Sequence, residues 1–227
     1  MATTATETEV APRVMPCERV SWAQVEDLVR RLAGDIRAAG FRPDIIVAIG
    51  RGGWVPARLL SDRLAVFNLT SFKIEHYRGA EKGSRARIRY PLAADVTGQQ
   101  VLLVDDVSDS GDTFELALAH LQAQGPPAGV RSAVLHHKRV CRYRPDFLAA
   151  EIAEWRWLTY PWALLEDVSG FIQRLGLAEA EPSALAAAIE AGYGLRLPQR
   201  TLREAQALLR DCKAGGRMRS QMRSEIE

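Results

Sequence analysis

No stretch of 18 or more consecutive apolar residues occurs among the 227 residues, so no segment reads as a membrane-spanning helix. The amino-terminal ATTATETEVAP lacks the basic start and apolar centre of a secretory signal; a cytoplasmic protein with no membrane partner is expected. Cysteine is scarce, and Cys17, Cys141 and Cys212 stand too far apart for a disulfide framework or for paired zinc-ligand spacing. The four histidines form no metal motif either. A charge excess is missing too: 30 Lys+Arg against 28 Asp+Glu leave +2, so whole-chain electrostatics give no reason to expect nucleic acid. The nucleoside-triphosphate loop GxxxxGK(S/T) is absent, and GRGG at 50–53 lacks the last glycine and helix placement of a dinucleotide fingerprint.

What is present reads as alternating strands and helices. Residues 1 to about 17 are rich in Ala, Thr, Glu and Pro without periodicity, and read as a mobile tail. Ser21 with Gln24 forms a capping box, and Val25, Leu28, Val29, Leu32 and Ile36 recur at helical spacing up to Gly40. IIVAIG, from Ile45 to Gly50, is a buried parallel strand in pattern, and Pro56 opens a helix carrying Ala57, Leu59, Leu60 and Leu64. VFNLTSFKI supplies the next strand. From Glu75 to Ala94 the chain turns basic, with Arg78, Lys82, Arg85, Arg87 and Arg89, and reads as a mobile flap or hairpin. VRSAVLHH gives a further strand, and Lys138 to Trp162, dense in Arg and aromatics, reads as an irregular cap over a parallel sheet. Beyond Trp162 three helices are expected, the last two capped by Ser183 and Thr201, followed by a basic end with Lys213, Arg217, Arg219 and Arg223.

VLLVDDVSDSGDTFELALAHL, from Val101 to Leu121, concentrates the chemistry. An apolar strand ends in Asp105 and Asp106, and a helix follows at once. Ligands bind at the carboxyl ends of strands in open α/β sheets, and a helix amino terminus offers unpaired N–H groups to an anion. Four acids crowd this loop, where two like charges ~4 Å apart cost roughly 4 kcal/mol at an effective dielectric near 20. A cation is therefore expected among them. A solvated acidic turn with one capping residue is the plainer alternative, but a cap needs only one such side chain.

The segment VLLVDDVSDSGDT resembles the phosphoribosyl diphosphate motif of the type I phosphoribosyltransferases, and AIGRGGWVPARLL resembles the pyrophosphate loop of the same family. The resemblance spans about Ser21 to Asp167. It implies an α/β fold, a Rossmann-like parallel-sheet core with a small hood, to which the helical pattern beyond Trp162 adds a C-terminal helical appendage. The expected divisions are a tail at 1–19, the transferase domain at 20–167 with its hood at about 138–165, and the appendage with its basic tail at 168–227. It also implies a pentosyltransferase that moves a phosphoribosyl group from phosphoribosyl diphosphate to a base, with Mg2+ as cofactor and a homodimer as the assembly.

Residue by residue, the resemblance implies that Asp105 and Asp106 bind the ribose hydroxyls and metal, and that Asp109, Ser110, Gly111, Asp112 and Thr113 form the 5-phosphate cradle. Asp109 is implied to handle a proton on the base, and Asp112 takes a helix-dipole role by default. Gly50, Arg51, Gly52 and Gly53 are implied to hold the pyrophosphate, with a non-proline cis peptide in that loop, and Arg51 to act in catalysis by stabilising the leaving group. Tyr77 marks the flexible loop. HHKRVCRYRPDF with WRWLTYPW resembles the xanthine-guanine and hypoxanthine branch, which makes Lys138 the partner of a purine 6-oxo group and Trp157 the stacking aromatic. Two other readings stay open: a phosphoribosyl diphosphate or nucleotide sensor using the same loops, and a transferase for a non-standard base. Trp155, Trp157 and Trp162 as ordinary core is the alternative to a base site.

Overall fold

The computed structural model describes residues 15–78 and 84–215. In chain order its elements are β1 (Cys17–Arg19), α1 (Trp22–Ala38), β2 (Ile45–Gly50), α2 (Trp54–Leu64), β3 (Leu69–Arg78), β4 (Ser84–Tyr90), β5 (Gln100–Ser108), α3 (Asp112–Gln124), β6 (Gly129–Lys138), β7 (Phe147–Ile152), β8 (Trp157–Thr159), α4 (Leu164–Arg174), α5 (Pro182–Tyr193) and α6 (Gln199–Gly215). A six-stranded sheet has the order β4-β3-β2-β5-β6-β7, and every neighbouring pair is parallel except β3 and β4. β1 and β8 form a separate parallel pair.

The apolar runs dictate this layering. All six residues of β2 are buried, and β5 is buried from Val101 to Asp105, as central strands covered on both faces must be. Alternation sends Ile46, Ala48, Leu102 and Val104 to one face, against Val25, Val29, Leu32 and Ile36 of α1 and Ala57 and Leu60 of α2. Ile45, Val47, Val101 and Leu103 face the other way, onto Phe114, Ala117 and Leu121 of α3. The capping box that starts α1 is present: Gln24 N–H donates to Ser21 Oγ at 3.2 Å, and Ser21 N–H donates to Gln24 Oε1 at 2.7 Å.

The polar flap is a hairpin on the sheet edge. Ala86 and Ile88 of β4 pack inward, while Glu75 of β3 forms an ion pair with Lys73 at 2.8 Å and lies near Arg87 and Arg89. Tyr77 pairs in register with Arg85 on this hairpin. Residues 79–83, residues 1–14 and the basic end beyond 215 lie outside the described residues.

Three local expectations are corrected. Cys17–Arg19, assigned to the tail, pair with Trp157–Thr159, because the exposed edge of the short β8 satisfies their backbone groups. The stretch from Lys138 to Trp162 is not irregular throughout: Lys138 ends β6, and FLAAEI forms β7, an edge strand of the main sheet. Helix α5 starts at Pro182, whose missing N–H suits the first turn, with Glu181 as its cap; Thr201 sits inside the first turn of α6.

Helices α4, α5 and α6 enclose their own apolar cluster, built on Val168, Phe171, Ile172, Leu185, Ile189, Leu202 and Ala205. Cys17 and Trp157 pack against it, so the appendage is joined to the rest of the chain through β1 and β8. Among the described residues, no helix is long and apolar enough to cross a membrane.

Candidate functional site

The carboxyl ends of β2 and β5 lie side by side, and a cavity of about 670 Å³ opens above them. Its lining includes Gly50 to Gly52 at and after the end of β2, Asp105 to Thr113 at and after the end of β5, and Trp157, Tyr160, Trp162, Glu166 and Asp167 from the hood and α4. Two loops 50 residues apart in sequence meet there because β2 and β5 are neighbours in the sheet.

The first loop is compact. The Gly50–Arg51 peptide bond is cis. A Cβ on Gly52 would lie 2.5 Å from Asp106 Oδ1, so only glycine lets this loop close onto the acidic strand end. Arg51 forms an ion pair with Glu166 in the first turn of α4.

The acidic pair carries the strongest electrostatic signal. Burial pushes the Asp105 carboxyl well above the ordinary carboxylate range, and the neighbouring Asp106 charge adds to the rise; the Asp106 and Gly53 amides offset part of it. Burial lifts Asp106 from 3.8 to about 6, against the opposing effect of the Trp162 indole. Trp162 Nε1–H donates to Asp106 Oδ2 at 3.2 Å and stacks on Tyr160, with ring centroids 4.7 Å apart. The Tyr160 hydroxyl donates to the Asp106 carbonyl at 3.0 Å and is itself bonded to His136 Nδ1 at 2.7 Å. Burial lowers His136 to about 4, so it is neutral and its Nδ1–H serves Tyr160. Two adjacent oxygen donors that resist ionisation together fit a hard divalent cation, which takes one or two carboxylates and completes its shell with phosphates. Among the described residues no group of three or more His, Cys, Asp or Glu forms a metal site unaided.

The second loop leads into α3. Gly111 has φ +103°, in the left-handed region, and caps the helix without a side-chain bond. Asp112 and Glu115 in the first turn are both paired with Arg142, so their negative charge is partly neutralised beside the helix amino terminus. Arg142 also keeps the Glu115 carboxyl below its usual range. The Ser110 hydroxyl donates to Asp112 Oδ2 at 3.1 Å and accepts from the Asp112 amide at 3.3 Å.

At the end of β6, Lys138 is almost fully buried and its Nζ lies 2.6 Å from Asp109 Oδ2. Trp157 lines the cavity, and its indole Nε1, together with Thr159 Oγ1 and Asp167 Oδ2, has no hydrogen-bond partner among the described residues. Burial raises the Asp167 carboxyl to about 7, and the nearby Trp157 and Thr159 groups offset part of that rise.

The fold therefore brings Gly50 to Gly53, Asp105, Asp106, Asp109 to Thr113, Lys138 and Trp157 to one end of the sheet. Tyr77 lies on the hairpin beside it. The sequence reading missed four participants. Trp155, Tyr160 and Trp162 belonged to a visible aromatic cluster, yet nothing local showed that Tyr160 and Trp162 serve Asp106 or that Trp155 contacts Asp109. Glu166 carried no signal at all, since its partner lies 115 residues away.

A sequence model of the phosphoribosyl transferase domain matches residues 21–166, ending in the first turn of α4. The xanthine-guanine phosphoribosyltransferase of Cereibacter sphaeroides is 31% identical over 149 residues, covering 63% of this chain and 84% of that protein. A purine phosphoribosyltransferase from Pyrococcus horikoshii superposes with a TM-score of 0.58 at 29% identity, covering 65% of this chain and 94% of its own. A hypothetical protein from Neisseria gonorrhoeae, solved with bound ppGpp, superposes with a TM-score of 0.59 at 27% identity, covering 66% of this chain and 90% of its own.

Proposed function

Because this chain belongs to the phosphoribosyltransferase family, we propose that it transfers the 5-phosphoribosyl group of phosphoribosyl diphosphate to a 6-oxopurine, releasing pyrophosphate and a nucleoside monophosphate. The observation that carries the reading is the meeting of Gly50–Gly52 and the Asp105–Thr113 loop around one cavity, with Lys138 bonded to Asp109 of that lining.

Each part has a task in this reaction. The backbone at the start of α3 holds the 5-phosphate, where helix N–H groups and the dipole favour an anion. Asp105 and Asp106 accept from the ribose hydroxyls and would hold Mg2+, which would supply positive charge against the negative charge of the departing pyrophosphate. The Gly50–Gly52 backbone and the Arg51 guanidinium bind that leaving group, whereas the Gly53 amide is spent on the Ile49 carbonyl at 2.9 Å; stabilising the leaving group's charge lowers the barrier to a transition state of oxocarbenium character. For the base, the Lys138 ammonium donates to a 6-oxo oxygen and repels a 6-amino group, and the Trp157 ring packs on the heterocycle. Asp109, reaching over the same cavity, takes the proton that the purine loses as its new N–C bond forms.

Pyrophosphate release measured with guanine, hypoxanthine and xanthine, with adenine as control, tests the assignment. Release with an oxopurine and none with adenine is expected. Equal use of adenine would remove the specificity role of Lys138.

A second reading draws on the gonococcal protein with bound ppGpp. A guanine nucleotide bearing two diphosphates also offers phosphates, a free ribose 2′-hydroxyl and a 6-oxo group to these loops. Calorimetric titration of ppGpp with and without phosphoribosyl diphosphate tests it: competition favours a shared site, and binding without turnover of any base favours a sensor over a transferase.

A further inference from the structure

We propose that Trp155 is a positioning residue that holds Asp109 and Lys138 in register, an inference that rests on the proposed function. Trp155 lies in the connection between β7 and β8 and is 40% exposed, so it is not a core tryptophan. Its indole Nε1–H donates to Asp109 Oδ1 at 3.1 Å, while Lys138 Nζ donates to Asp109 Oδ2 at 2.6 Å. The same Lys138 Nζ lies 4.5 Å from the centroid of the Trp155 ring. Three side chains from three separate segments thus close a ring of contacts.

The two contacts made by Trp155 are chemically distinct. The N–H binds one carboxylate oxygen and sets the rotation of the Asp109 side chain, which is 43% exposed and has little packing to hold it. The ring face attracts the ammonium of Lys138, whose side chain is 3% exposed and needs compensation for its buried charge. An ammonium has three N–H donors. With one on Asp109 and one toward the indole face, the third is left for a carbonyl oxygen brought up beside Asp109, which itself lines the cavity. Trp155 therefore orients the proton acceptor through its edge and the base-reading donor through its face.

Two variants separate these roles. Trp155→Phe keeps a ring face and loses the N–H; Trp155→Gln keeps an N–H donor and loses the face. Steady-state kinetics would vary the purine at saturating phosphoribosyl diphosphate, with D109N and K138M as references and thermal unfolding as a control. For W155F, kcat is expected to fall about tenfold, a part of what a positioned acid or base contributes. Its purine KM is expected to stay within about twofold of wild type. W155Q should do the reverse, raising the purine KM about fivefold with kcat nearly kept. If both variants change kcat and KM in parallel with a fall in melting temperature, or if neither changes either, the proposal is overturned and Trp155 only fills space. Should D109N retain wild-type turnover, the role given to Asp109 fails and this inference falls with it. Loss of turnover in D109N beside an unaltered W155F overturns the inference alone.

Discussion

Asp106→Asn is expected to stabilise the protein and to disable it. The ionised Asp106 sits partly buried beside Asp105, and its carboxyl titrates at about 6 instead of the usual 3.8. A rise of that size means that ionised Asp106 costs the folded chain about 3 kcal/mol. The substitution isolates charge, because an asparagine oxygen can still accept from Trp162 Nε1 and the bond from Tyr160 goes to the backbone carbonyl. It also removes the like charge that raises Asp105. The sign follows from linkage: a carboxyl with a raised native pKa binds its proton more tightly folded than unfolded, so its cost is absent below the unfolded value and complete above the native one. Denaturant unfolding should therefore show the variant more stable by about 3 kcal/mol at pH 8 and by less than about 1 kcal/mol near pH 4. At this chain length the pH 8 difference corresponds to roughly 6–12 °C in melting temperature. Affinity for phosphoribosyl diphosphate with Mg2+, measured by calorimetry, should fall at least tenfold, roughly the loss of one charge-assisted contact. A variant less stable than wild type at pH 8, or a gain that does not change with pH, would refute the electrostatic account of this strand end.

Three further substitutions probe other parts. Gly52→Ala places a methyl group against Asp106 Oδ1 and is expected to destabilise the fold by about 1–3 kcal/mol while weakening phosphoribosyl diphosphate binding; unchanged binding would show that the two loops need not touch. Glu166→Gln releases the Arg51 ion pair, which is too exposed to contribute more than about 1 kcal/mol, so unfolding should hardly change while the phosphoribosyl diphosphate KM falls. A rise in that KM would instead make Glu166 a support for Arg51. Phe171→Ala empties the centre of the appendage, where Phe171 is fully buried and stacks on Tyr193 at 4.0 Å, and should cost about 3–5 kcal/mol by chemical denaturation; a loss under about 1 kcal/mol would mean that this cluster adds little to stability.

How much of this was legible in the sequence depended on the range of the interactions. IIVAIG and VLLV announced β2 and β5 because central parallel strands are apolar throughout, and the glycines and acids after them marked the strand ends where a site forms. The box of Ser21 and Gln24 was equally local. β1 was not legible, since Cys-Glu-Arg becomes a strand only by pairing with residues about 140 positions later, to which no local pattern points. β7 was obscured because an edge strand tolerates the alanines and glutamate of FLAAEI. Within the site, the glycine-rich stretch after β2 and the acidic stretch after β5 stood out in the sequence and meet at one cavity, but the aromatic cluster could not be sorted. Trp155, Trp157 and Trp162 are alike in sequence, whereas the folded hood aims one indole at Asp109, one at Asp106 and one toward α4.

The most direct test of the central claim is product formation by the wild-type protein. Incubated with phosphoribosyl diphosphate, Mg2+ and guanine, hypoxanthine or xanthine in separate reactions, it should yield a nucleoside monophosphate and pyrophosphate in equal amounts from at least one base, as measured by chromatography with mass detection. No nucleotide from any of the three would contradict the account.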